Sequence, residues 1–285
     1  MDSSKCTALT LKGKQCTRKA LFGNLCRLHA TIETPVYQFE GQCMTVTFSD
    51  VVENSIGMEQ LGEKNDENGK MITPQYLREL SKTLENCKIH ELNYTCSQKT
   101  EEACILVISN WLANPNDLLQ ELLQLDWDKK FLNKGSVMNK KARYNLCFTD
   151  ENNEPCYEEG RGRVISFNNL PELSKARKKV KKLLPFDTTI YAEGNFYYDV
   201  SKTFIGFHGD KERSFVVGLR LGDDIPLHYR WFYRDKPVSD AQSITLQHGD
   251  LYIMSYKAVG NDWRKSSLVS LRHAAGNADL IKNIR

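Results

Sequence analysis

Hydrophobic and polar positions change their period several times along this chain of 285 residues. "CMTVTFSDVV", starting at Cys43, alternates apolar and polar residues and predicts a strand with one buried face. In "TPQYLRELSKTLENC" the residues Tyr76, Leu77, Leu80 and Leu84 share one helical face, with Thr73 as N-cap and Pro74 in the first helical position. "ACILVISNWL" is apolar throughout and fits a buried strand or a short helix. "NPNDLLQELLQLDW" predicts a capped amphipathic helix. "NLPELSKARKKVKKLL" predicts another, with Leu173, Ala176, Val180 and Leu183 as its apolar stripe. Eight short strand candidates surround it: "ARYNLCF", "GRVISF", "TTIYAEGNFYY", "FIGFHG", "SFVVGLRLG", "LHYRWFYR", "ITLQHGDLYIM" and "SLVSLRHAA". Short strands divided by turn signals predict a mainly β protein, an antiparallel sandwich or barrel with flanking helices.

These patterns divide the chain into a basic, cysteine-punctuated segment (1–34), a small α/β accessory segment of unread role (35–112) and a strand-rich domain (113–285). The Thr34–Pro35 step is the first boundary. The longest apolar runs fall far short of the roughly 20 residues that span a bilayer, so no membrane partner is expected. The first residues lack the apolar core of a secretory signal, which predicts an intracellular protein, cytoplasmic or nuclear. Nine cysteines, an odd number, then read better as thiols or metal ligands than as a disulfide framework. The net charge of +3 is small, but "KARKKVKK" packs six basic residues into positions 175–182. Such a cluster suits a phosphate backbone, and equally a solvated helix face.

Cys6, Cys16, Cys26 and His29, spaced C-x9-C-x9-C-x2-H, are a possible tetrahedral Zn(II) set of the Cys3His type. A segment with so few large apolar residues needs metal to fold. "KCTALTLKGKQCTRKALFGNLCRLHA" resembles a recurrent small zinc module of the form C-x-A-x-T-x-x-G-x-x-C followed by C-x-x-H. Four protein ligands leave no open position, so this zinc would be structural.

"NFYYDVSKTFIGFHGDKE", residues 195–212, carries the candidate chemistry. Residues two apart on a strand face the same way, so His208 and Asp210 can aim an imidazole and a carboxylate at one point. That is most of a two-histidine, one-carboxylate arrangement, which leaves open positions on Fe(II). Asn195 and Tyr197 likewise share a face and suit the oxygens of an oxo-acid.

The whole stretch is similar to the N-x-Y-x-D-x(5)-I-G-x-H-x-D-x-E signature of AlkB-like 2-oxoglutarate/Fe(II) dioxygenases, here Asn195, Tyr197, Asp199, Ile205, Gly206, His208, Asp210 and Glu212. "VVGLRLG" and "LQHGDLYIMS" continue the resemblance in order. It implies a double-stranded β-helix (jelly-roll, cupin-like) holding iron in its mouth, with 2-oxoglutarate as cosubstrate bound by Asn195 and Tyr197. "ARYNLCF" and "GRGRVISF" stand where such enzymes grip substrate. The family's distal histidine beside an aromatic residue is missing next to Trp263, which leaves His273, 65 residues beyond His208, as the third iron ligand. The family's closing R-x5-R, which receives the far carboxylate of 2-oxoglutarate, is also absent. Arg285 is the expected substitute, with Arg272 and Arg220 as alternatives. His248 reads as part of a tight turn, with the third ligand position as its alternative, His228 as packed among aromatics or near substrate, and His90 as a residue without chemistry.

The resemblance implies oxidative demethylation or hydroxylation of a nucleic acid base, DNA or RNA, presented single-stranded or flipped out. Trp127, Tyr144 and Trp231 could stack on such a base or simply fill the core. The alternatives are a protein hydroxylase or demethylase of the same chemistry, and a non-catalytic nucleic-acid-binding protein on a degenerate oxygenase fold. The three-part arrangement, with "VTFSDVVENSIGM", "LDWDKKF" and "ARYNLCF", also resembles uncharacterised proteins of large DNA viruses, which implies work inside a host cell.

Overall fold

The computed structural model describes Thr17 and residues 41–64, 71–95 and 100–282. The zinc candidates Cys6, Cys16, Cys26 and His29, and also Arg285, lie outside the described residues. The chain divides into two units, Met1–Gln38 and Phe39–Arg285, and all that follows concerns the second.

The alternating segment is a strand, Cys43–Ser49. Met44, Val46 and Phe48 face one side and Thr45 and Thr47 the other, as a period of two requires. It pairs antiparallel on both edges, with Tyr191–Tyr197 and with Val217–Gly222. The sheet grown around it has eight strands, in the order Cys87–Glu91, Cys104–Ile108, Leu251–Met254, Val217–Gly222, Cys43–Ser49, Tyr191–Tyr197, Tyr144–Thr149 and Val164–Ser166. Its last pair is parallel, so the sheet is mixed where the sequence predicts antiparallel pairing. A second, curled sheet joins Ile205–His208, Ser270–Ala275 and Leu227–Tyr233, whose far edge takes Lys236–Pro237 and Gln242–Ile244.

All eight strand candidates contain strands. "ITLQHGDLYIM" divides, sending Gln242–Ile244 to the curled sheet and Leu251–Met254 to the large one. Gly249, at φ +90°, lies in the turn between them. Segment 35–112, expected as an accessory unit, supplies three strands of the large sheet, because its apolar residues find their partners there.

Helices Pro74–Ser81, Pro115–Leu123 and Pro171–Lys181 each start on a proline. Thr73 caps the first, its hydroxyl accepting from the Tyr76 N–H at 3.1 Å. Leu77, then Leu118, Leu119 and Leu122, then Leu173, Ala176 and Val180 are buried with Met44, Val46, Phe48, Leu219 and Ile253 of the large sheet. Each large side chain so buried is worth about 1.5–3 kcal/mol. The helices therefore cover the outer face of the large sheet. On its inner face Ile105, Val107, Tyr252 and Met254 pack against Leu227, Tyr229, Trp231 and Leu271 of the curled sheet. The rest of the inner face is polar and lines a cavity.

Candidate metal centre

Strand Ile205–His208 pairs with Ser270–Ala275 so that His208 stands directly opposite His273, their ring centroids 4.4 Å apart. The strand ends at His208, so strand alternation is not what aligns Asp210. Asp210 lies in the following turn, anchored by its N–H to the Val259 carbonyl at 2.9 Å. Gly209 makes that turn possible. A Cβ there would lie 2.2 Å from the carbonyl oxygen of Gly260, a contact no side chain tolerates. Asp210 then presents one oxygen 3.7 Å from His208 Nε2 and the other 3.6 Å from His273 Nε2. The donor atoms of all three side chains lie within 4.8 Å of one another and form a group able to hold a metal ion.

The surroundings keep these donors in the right protonation state. His208 Nδ1 lies 2.8 Å from the Gly206 carbonyl, which only accepts, so that nitrogen carries the proton and Nε2 turns its lone pair to the cluster. Burial lowers the pKa of His208. Burial, together with the adjacent His208, pushes His273 down to about 3, so it is a neutral imidazole at any physiological pH. Burial pushes Asp210 up, but Arg213, His273 and His208 outweigh it and hold the carboxyl below its ordinary value. Arg213, itself buried, ion-pairs with Glu193 and reaches to 4.0 Å from Asp210. Burial and the charge of Asp210 raise Glu212 to about 7.

The group faces a cavity of about 860 Å³. Asn195 and Tyr197 both line it, on one face of their strand as the sequence predicts. The Asn195 carbonyl accepts from Arg143 Nε at 2.5 Å and from Asn145 Nδ2 at 2.9 Å. Arg220 also lines the cavity and is fully buried. Arg272 is engaged elsewhere, donating to Asp235 at 2.6 Å and to the Trp263 carbonyl at 3.1 Å. His248 fastens a turn, accepting from the Gly222 N–H at 2.9 Å and meeting Asn116 at 2.9 Å. His228 is buried against Ser243 and the Gly276 carbonyl, and His90 sits half-buried on the Cys87–Glu91 strand. Trp127 and Trp231 are core residues whose indoles donate to the carbonyls of Leu122 and Leu92. Tyr144 is stacked on Tyr198 at 4.4 Å. The reading of the sequence missed Arg143, Glu193 and Arg213. Glu193 was within reach, since it precedes Asn195 by two positions and so shares its face.

Fold and site together define a class: a mainly β protein of two facing sheets, with a His-Asp-His group able to take a metal ion at the wall of an internal cavity. No family model matches the chain. Over 249 residues it is 38% identical to an uncharacterised protein of Acanthamoeba polyphaga mimivirus, a match spanning 85% of this chain and 98% of that one. The chain belongs to the family of that viral protein. Among the described residues no helix is long and apolar enough to cross a membrane.

Proposed function

We propose that this protein is a 2-oxoglutarate- and Fe(II)-dependent dioxygenase on a double-stranded β-helix, acting by demethylation or hydroxylation of a nucleic acid base. The observation that carries the reading is the meeting of His208, Asp210 and His273 on the cavity wall, two imidazoles and one carboxylate with nitrogen–oxygen separations of 3.6–3.7 Å. Donors about 2 Å from a shared ion sit near this spacing, and the donor set is that of the facial triad of non-haem iron oxygenases. Iron bound there would supply oxygen chemistry: an N-methyl group, dioxygen and 2-oxoglutarate become an N-hydroxymethyl group, succinate and carbon dioxide, and the N-hydroxymethyl group then releases formaldehyde.

The chain's own residues prepare this reaction. Low pKa values keep His208 and His273 unprotonated, and Arg213 holds Asp210 ionised and in place. Asn195 and Tyr197 offer an amide and a phenol to orient an oxo-acid beside the metal group. At the cavity wall Lys64, Lys211 and Arg264 stand with Trp263, cations and a ring suited to an anionic, planar substrate.

Anaerobic addition of Fe(II) and 2-oxoglutarate is expected to give a weak visible charge-transfer band, and His208→Ala to abolish it. With a methylated oligonucleotide, succinate and formaldehyde should form in equal amounts. Absence of both the band and succinate formation would refute the enzyme reading. Formaldehyde from a methylated peptide but not from the oligonucleotide would move the substrate to protein.

A further inference from the structure

Asn195 lines the cavity, but part of what holds it lies behind the wall. Lys140 is buried, and its ammonium donates to three oxygens: the Asn54 carbonyl at 2.9 Å, Asn54 Oδ1 at 2.5 Å and Asn145 Oδ1 at 2.8 Å. All three acceptors are neutral. Asp128 meets the lysine through the Asn54 amide, whose Nδ2 donates to it at 2.6 Å. A cation buried in this way costs stability that an apolar side chain of similar size would not. Neither Lys140 nor Asn145 lines the cavity.

The hydrogen bonds run in one direction. An ammonium only donates, so the Asn145 oxygen faces Lys140 and its Nδ2 turns to the neighbouring strand. There Asn195 stands directly opposite Asn145 in the sheet register, and its Oδ1 accepts from Asn145 Nδ2 at 2.9 Å. Arg143, also a pure donor, reaches the same oxygen. With Oδ1 held by two donors, Asn195 is left with Nδ2 to offer to the cavity. The backbone keeps the relay in register. Asn145 exchanges hydrogen bonds with Asp128 at 3.1 and 3.4 Å, and the Lys140 N–H donates to the Lys129 carbonyl at 2.8 Å.

We propose that Lys140 and Asn145 are positioning residues, which lock the Asn195 amide with its NH2 group toward the cavity and so make that point of the wall accept only an oxygen of the bound oxo-acid. This rests on the dioxygenase reading. Without the relay the amide could turn over and present its own oxygen, which repels a carboxylate or keto oxygen instead of binding it. Lys140 and Asn145 therefore act through Asn195, without touching the cosubstrate themselves.

The test is a double-mutant cycle on the full chain loaded with Mn(II), without turnover, with 2-oxoglutarate binding measured by calorimetry. It is run at pH 6, below the value of about 7 to which burial lowers Lys140. Lys140→Met should weaken 2-oxoglutarate binding roughly five- to tenfold, the range of one hydrogen bond, at unchanged Mn(II) affinity. If Lys140→Met does not fold, Asn145→Ala breaks the same relay and should show the same loss. In the Asn195→Ala background either change should alter 2-oxoglutarate binding by less than about twofold, because its route to the ligand is gone. An equal loss in both backgrounds marks a merely structural role and overturns the proposal. So does undiminished binding in Lys140→Met or Asn145→Ala, and so does an Asn195→Ala protein that binds 2-oxoglutarate as the parent does; all three leave the dioxygenase reading standing. Mn(II) binding by the intact protein with no binding of 2-oxoglutarate overturns the cosubstrate reading and this proposal together.

Discussion

Glu212 and His273 act on the pH dependence of the metal-free protein in opposite directions. His273 is held at about 3 against an ordinary 6.5, so between those values the unfolded chain binds the extra proton. The stability it contributes is present above about 6.5 and is lost as pH falls through about 3. Glu212 is raised to about 7 from 4.5, so its contribution is present below about 4.5 and is lost as pH rises through about 7. Glu212→Gln removes only the second effect. Chelator-treated Glu212→Gln protein should therefore gain stability relative to the parent as pH rises from 4.5 to 7. Denaturant titrations at several pH values would show this, and parallel curves would contradict it. Gly209→Ala tests geometry in place of charge. With its Cβ against the Gly260 carbonyl, the turn must shift and carry Asp210 with it, at a cost of about 1–3 kcal/mol typical of overpacking. Metal affinity measured by calorimetry should fall at least tenfold.

Among the elements, helix Pro171–Lys181 and its C-terminal flank matter most to the choice of partner. Its six basic residues read as a phosphate-binding surface, but most are engaged within the chain. Arg177 pairs with Asp150 and lies over the Phe167 ring, Lys175 pairs with Glu172, Lys181 with Asp187, and Lys179 lies 4.4 Å from the Trp111 ring. The helix also packs on the outer face of the large sheet, whereas the cavity opens from the inner face. Oligonucleotide binding should thus be little changed by Lys178→Glu with Lys182→Glu, and should weaken and lose salt dependence with Lys64→Glu and Arg264→Glu. Fluorescence anisotropy at two salt concentrations decides; the reverse ranking would return the helix to the interface. On the first helix, Thr73→Ala removes a cap and should cost about 1 kcal/mol in chemical denaturation, with metal affinity unchanged.

At the scale of the whole molecule, the large sheet depends on the strand Cys43–Ser49, which lies far in the chain from both of its partners. Cys43–Ser49 pairs along its length with Tyr191–Tyr197 and over six positions with Val217–Gly222, while Met44, Val46 and Phe48 fill the outer core. Removing residues 1–49 would expose two interior strand edges and empty that core, so the truncated chain should lose cooperative thermal unfolding. A sharp calorimetric transition in that truncation would show that the strand is dispensable. The same strand bears Thr45, which lines the cavity, so one element joins the middle of the sheet and contributes to the cavity wall.

Periodicity alone determined a good deal: the strand from Cys43, the helices starting at Pro74, Pro115 and Pro171, the eight later strands, and the shared face of Asn195 and Tyr197. These follow from local rules, since the face a side chain takes depends only on its position within its own element. The spacing of His208 and Asp210 was also visible in the sequence, although a turn held open by Gly209, and not alternation, makes them converge. What needed the tertiary structure was every choice among distant partners. Arg220 and not Arg272 enters the cavity, Arg213 reaches Asp210, and it is strand register that sets His273, already singled out in the sequence, opposite His208. Each depends on which strands become neighbours and in what register, and that is decided by the packing of residues far apart in the chain.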